Sequence, residues 1–202
     1  MDDRSRTAGA PRPAATIVLA RAAPGHGVEV LVLRRSEASR FAPGFVVFPG
    51  GAVDPDDDEL ARRWFGSPDE RARACAVREL AEEAGLHIEA TVDELPEIGH
   101  WIAPEFLPVR FDARFFAAAA DLARGSLEPT PDGLEIVDAW WVRPADLLVA
   151  GARGDVPLAW PTVRTLEALA ACRSVADVLA LQVAQEPPAP LGRATPTPSP
   201  LA

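Results

Sequence analysis

Apolar and polar positions alternate or run together in short blocks through most of the chain, and the blocks fall into a regular order of strands and helices. Ala15 to Ala20 and Val28 to Leu33 are strand-like, and Pro24, Gly25 and Gly27 between them predict a hairpin. Phe45 to Phe48 predicts a third short strand, and Glu59 to Phe65 a short helix ending at Gly66. Further strands are expected over Ile98 to Ile102, Val109 to Ala117 and Ile136 to Val142, where Trp101 and Phe111 are read as core positions of half-buried strands. Arg143-Pro144-Ala145-Asp146 marks a helix start, and Pro161 to Ala171 and Val175 to Gln185 read as closing helices. The fold class is α/β, with a mixed sheet between helical layers. One domain over residues 14–185 is expected, with Pro-, Ala-, Thr- and Arg-rich tails at 1–13 and 186–202.

The helical pattern most loaded with chemistry is Arg78-Glu79-Leu80-Ala81-Glu82-Glu83-Ala84-Gly85-Leu86. At about 100° per residue, Glu82 lies about 60° to one side of Glu79 and Glu83 about 40° to the other, so the three carboxylates share one arc. Ala74, Val77, Leu80, Ala81 and Ala84 occupy the opposite arc and are expected to bury. Three like charges this close repel unless a cation joins them, and oxygen-only donors suit a hard divalent ion. Upstream, Ser67-Pro68-Asp69-Glu70 has the form of a capping box, with Ser67 accepting an N–H near Glu70. Gly85 is placed to end the helix in the left-handed conformation. Glu-rich helix faces are commonly plain solvated surface, so the surroundings decide.

Those surroundings resemble the Nudix box, a pattern of Gly, five residues, Glu, seven residues, Arg-Glu, an aliphatic, any residue, Glu-Glu, any residue, Gly and an aliphatic. Glu70 has seven residues between it and Arg78, and every prescribed position from Arg78 to Leu86 is met. Phe48-Pro49-Gly50-Gly51 supplies the opening, but eighteen residues rather than five separate Gly51 from Glu70. The acidic turn Asp54-Pro55-Asp56-Asp57-Asp58 and the short helix after it are therefore read as an insertion over 52–66. The resemblance implies an α/β/α sandwich, a bracing pair of Glu70 with Arg78, and hydrolysis of a diphosphate linked to an organic group. It implies Mg²⁺ or Mn²⁺ held by Glu79, Glu82 and Glu83, with the Gly50 carbonyl as a further ligand. The general base is either a box glutamate or a later loop residue, for which Glu135 is the candidate and a surface turn acid the alternative.

The segment from Arg35 to Gly51 is similar to the signature of coenzyme A diphosphatases within the same family. Arg35, Ser36, Arg40, Gly44, Val46 and Phe48 to Gly51 fall into place, while Ser39 and Ala42 stand where that branch has leucine and histidine. The resemblance implies that Arg35, Ser36, Arg40 and Gly44 meet substrate, the arginines by bidentate bonds to phosphate. The alternative is that Arg34, Arg35 and Arg40 only solvate a hairpin end. Trp101 to Pro104 and Arg110 to Phe116 look like the strand that follows an enlarged box. The helices after Pro157 have a general counterpart as a cap that lines the pocket or mediates homodimerisation.

Composition narrows the partners. The 202 residues carry a net charge of −10, all twenty basic residues are arginine, and 48% are hydrophobic. So acidic a chain lacks the basic footprint that nucleic acid or an anionic membrane requires, so a small nucleotide diphosphate is the expected partner. Cys75 and Cys172 show no metal-binding spacing and are expected as reduced thiols. No apolar run has signal-peptide or membrane-spanning character, and a cytoplasmic location is expected. The remaining alternatives are hydrolysis of ADP-ribose, nucleotide sugars or dinucleoside polyphosphates, and a non-catalytic nucleotide-binding regulatory module.

Overall fold

The computed structural model describes residues 10–184 except 26, 40 and 106–108. Its centre is a mixed sheet whose middle strand, β1 (Arg12–Ala22), is apolar along nearly its whole length because both of its faces are covered. The hairpin partner β2 (Val28–Arg35) pairs antiparallel with the end of β1, joining Ala20 to Val30. On β1 and β2 the residues Ile17, Leu19, Leu31 and Leu33 point to one face, and Val18, Ala20, Val30 and Val32 to the other.

The sheet continues with β3 (Val46–Val47), β4 (Gly50–Ala52), β5 (Glu97–Ile102), β6 (Phe111–Ala119) and β7 (Ile136–Val142). The main path runs β3-β2-β1-β6-β5, with β4 paired to the start of β1 and β7 to β2. Only β1 and β6 among these pairs run parallel. One face of the sheet carries α1 (Asp57–Phe65) and α2 (Arg71–Ala84), and the other carries α3 (Pro144–Arg153), α4 (Trp160–Leu169) and α5 (Val175–Leu179). The expected α/β/α layering is what the chain adopts.

Several elements differ from the pattern in ways that have physical causes. β4 is Gly-Gly-Ala and carries no apolar signal, and it is a strand because its backbone completes β1. α1 starts at Asp57, two residues before the expected start. α2 is preceded by a 3₁₀ turn over Pro68–Glu70, at whose start Ser67 Oγ accepts the N–H of Asp69, next to Glu70, at 3.2 Å. α5 stops at Leu179 instead of reaching 185, because Val183 leaves to donate its N–H to the Ile98 carbonyl along the β5 edge. Gly85 caps α2 with φ of +66°, donating to the Ala81 carbonyl at 3.0 Å. Among the described residues no helix is long and apolar enough to cross a membrane.

Trp101 is buried in the cluster beneath α3 to α5, as a core position should be. Phe116 is fully buried under α2, with the Arg73 guanidinium 5.0 Å above its ring. We expect Phe116→Ala to lower unfolding free energy by about 3–5 kcal/mol in a denaturant titration.

Candidate active site

The carboxylate face of α2 meets the sheet where β4 crosses the start of β1. Gly50 and Gly51 permit that approach in different ways. A Cβ on Gly50 would overlap the Ala15 carbonyl and stand 2.8 Å from Thr16 Cα, both backbone, so the strand pairing itself requires glycine there. A Cβ on Gly51 would stand 2.6 Å from Glu79 Cδ, so that glycine makes room for the Glu79 side chain.

Arg78 organises the face. Its Nε donates to Asp57 Oδ1 at 2.8 Å and its Nη2 to Asp57 Oδ2 at 3.0 Å, a two-pronged bond to a carboxylate with no exposed surface. Nη1 donates to Glu79 Oε1 at 2.8 Å and Glu82 Oε2 at 2.9 Å. The hydrogen bond to Asp57 is the main reason the guanidinium is held even more firmly in its charged form than usual. The remaining Asp57 capacity is met by the Asp54 N–H at 2.8 Å.

This geometry corrects the expected Glu70 to Arg78 brace. Glu70, at the end of the 3₁₀ turn, pairs instead with Arg73 in the first turn of α2. Five residues separate Asp57 from Gly51, the spacing the box prescribes for its acid, and twenty residues rather than seven then separate it from Arg78. The extra length therefore follows the bracing acid rather than preceding it. That extra length begins with the rest of α1, which packs against α2 through buried Ala61 and half-buried Phe65. Sequence reasoning passed over Asp57 because it sits in a run of four acids that reads as a solvated turn. The count from Gly51 was the available signal.

The three glutamates occupy three different environments. Glu82 is exposed, Glu79 is half-buried, and Glu83 is only 6% exposed. Burial pushes the Glu83 carboxyl up to about 8, against the lowering effect of the Gly50 N–H that it accepts at 2.9 Å. Burial also raises Glu79, although its bond to Arg78 works the other way. Among the described residues no group of three or more Asp, Glu, His or Cys side chains stands ready to hold a metal ion. Glu82 is turned onto Arg78, so joint ligation requires it to leave that partner. The donor set nevertheless fits a hard divalent cation, since it consists of carboxylate oxygens and its buried member is short of positive charge. Gly50 engages the cluster through its N–H.

Arg35 joins the cluster from the opposite side. A register shift between Arg34 and Arg35 in the β2 to β7 pairing places Arg35 across from Ile136. There its guanidinium pairs with Glu135, and Nη1 lies 4.0 Å from Glu83 Oε1. Glu135, one hundred positions away in the chain, is thus brought against Arg35. Ser36 and Gly44 serve the loop itself. Ser36 Oγ accepts the Ala38 N–H at 3.2 Å, and its carbonyl accepts the N–H groups of Ser39 at 3.0 Å and Gly44 at 3.4 Å. Arg40 lies outside the described residues. Cys75, beneath the face, donates Sγ to the Ala52 carbonyl at 3.5 Å, and burial raises its thiol well above the ordinary value, which leaves it protonated.

A family model described as the NUDIX domain matches residues 10–163. The chain belongs to the Nudix family. A NUDIX hydrolase from Alicyclobacillus acidocaldarius is 30% identical, and the match covers 87% of this chain and 99% of that one at a TM-score of 0.75. The NUDIX domain of Shewanella oneidensis NrtR, solved in complex with ADP ribose, shares the Nudix fold at 16% identity and a TM-score of 0.54, over 83% of this chain and 90% of that domain. A Caenorhabditis elegans protein named "Putative nudix hydrolase 7" is 40% identical over 75 residues, which is 37% of this chain and 22% of that relative's length.

The corrected Nudix brace makes a differential prediction. We expect Asp57→Ala to cost about 3–5 kcal/mol of stability by leaving Arg78 Nε and Nη2 without their buried two-pronged acceptor, and Glu70→Ala to cost less than about 1 kcal/mol as a half-exposed pair. Denaturant melts of the two variants side by side read the difference.

Proposed function

We propose that the protein is a divalent-metal-dependent hydrolase of a diphosphate linkage in a nucleotide joined to another group, with coenzyme A or acyl-coenzyme A as the leading substrate. The observation that carries this is the buried Glu83 carboxylate, held by Gly50 beside Glu79 and facing Arg35, in a family whose members are named hydrolases. Glu79, Glu82 and Glu83 would hold Mg²⁺ or Mn²⁺, with the Gly50 carbonyl as a further ligand. When bound, the ion supplies neutralisation of phosphate oxygens and the acidity that makes water a nucleophile near neutral pH.

The chain's own groups divide the remaining work. Arg35, poised between Glu83 and Glu135, is set to exchange a carboxylate for a phosphate oxygen of the substrate. A box glutamate or Glu135 takes the proton from the attacking water. Water adds to phosphorus, the bridging P–O bond breaks, and coenzyme A would give 3′,5′-ADP and phosphopantetheine. The segment Arg35, Ser36, Arg40, Gly44, Val46 and Phe48 to Gly51 favours that substrate over other nucleotide diphosphates. Because Glu79, Glu82 and Glu83 are all present, a purely regulatory nucleotide-binding role is disfavoured.

Each of Glu82→Gln and Glu83→Gln is expected to lower metal-dependent turnover by at least ~10², with the thermal transition retained. Near-normal turnover in both variants would contradict the assignment. A substrate panel of coenzyme A, ADP-ribose and a dinucleoside polyphosphate with Mg²⁺ or Mn²⁺ tests the specificity. Coenzyme A is expected to be cleaved best, and turnover of ADP-ribose with coenzyme A untouched would overturn the leading substrate.

A further inference from the structure

We propose that Phe41 and Phe111 form the docking face for the planar base of the nucleotide half of the substrate, making Phe41 a specificity-determining residue. The inference rests on the diphosphate-hydrolase reading and adds to it where the base sits. Phe41 is 51% exposed, and what sets it apart from a singly exposed apolar residue is its pairing with a second ring. Its ring meets that of Phe111 edge to face, with centroids 5.2 Å apart and planes at 73°. Phe111, expected in the core, belongs to neither core cluster. An edge-to-face pair satisfies one ring contact of each partner and leaves aromatic surface for a third ring.

One guanidinium ties this pair to the reacting end of the site. Arg35 Nε donates to the Phe41 carbonyl at 2.9 Å, while its Nη1 stands 4.0 Å from Glu83 and its Nη2 pairs with Glu135. The side chain set to hold phosphate therefore also sets where Phe41 stands. The loop around it is built for position rather than for burial. Ala42 adopts φ of +46°, the one described non-glycine residue with positive φ, and Gly44 has φ of +72°. A Cβ on Gly44 would lie 2.9 Å from Glu37 Cδ. Backbone strain of this kind persists where the surrounding structure holds it, and here it shapes the loop that Arg35 anchors and that presents the exposed ring. Phe41 and Phe111 carry no charge, so they add recognition of a flat apolar ring to a site otherwise made of carboxylates and arginine.

Calorimetric binding of ADP and of inorganic pyrophosphate, with Mg²⁺, to the full chain and to Phe41→Ala and Phe41→Trp tests this. The wild-type protein is expected to bind ADP more tightly than pyrophosphate. Phe41→Ala should lose about 5- to 150-fold in ADP affinity, the range of one base-stacking contact, with pyrophosphate affinity within about twofold of wild type. Phe41→Trp should recover most of the ADP affinity. Unchanged ADP binding in Phe41→Ala, or equal losses for both ligands, would overturn the ring face. Wild-type affinities equal for the two ligands would overturn it while leaving the diphosphate reading standing. Failure of the wild type to bind either ligand would overturn both.

Discussion

The bidentate ion pair between Asp57 and Arg78 is the interaction on which the site depends. A carboxylate without exposed surface is costly to hold as an ion, and the cost is offset only where hydrogen-bond geometry is complete. Here the guanidinium fork and the Asp54 N–H supply that geometry. The same guanidinium has one nitrogen left for Glu79 and Glu82 and a contact with the Ala52 carbonyl at 3.4 Å. A single side chain thus joins α1, β4 and the carboxylate face of α2. The extra residues that follow Asp57 are tolerated because they enter and leave as a packed helix without disturbing the pair at their root.

From that brace the division among the glutamates follows. Glu79 and Glu82 share Arg78, whereas Glu83 lies on the side facing Gly50 and Arg35. Burial raises its carboxyl, outweighing the lowering effects of the Gly50 N–H and of Arg35, and such a position favours added positive charge. The glycine pair completes the arrangement, one residue demanded by the pairing of β4 with β1 and the other by the room Glu79 occupies. Arg35 closes the far side and links the cluster to Glu135 and to the loop that presents Phe41.

Legibility in the sequence tracked the range of the interaction that sets each feature. β1, β2 and β7 were readable because local apolar patterning reports burial, and Gly85 because a helix end needs its left-handed conformation. β4 was not readable, since Gly-Gly-Ala becomes a strand only through pairing with a strand thirty-six positions earlier, Ala15 to Gly51. The far end of α5 was overstated because an apolar run cannot show that Val183 is claimed by β5. The box offered two acids, Asp57 at the correct count from Gly51 and Glu70 at the correct count before Arg78. Spacing alone does not say on which side of the acid an insertion lies. Burial does, and it selects Asp57. The pairing of Arg35 with Glu135 likewise depends on a β-bulge, which leaves no local mark on the chain.

The most direct test of the central claim is a double-mutant cycle of Asp57→Asn and Arg78→Met, read in both unfolding free energy and metal-dependent turnover. If the pair is the brace, the double variant will be no worse than the poorer single variant, with a coupling energy of about 2–3 kcal/mol in stability and a matching non-additivity in turnover. Additive losses in both readouts would show that the two residues act independently and would contradict the account.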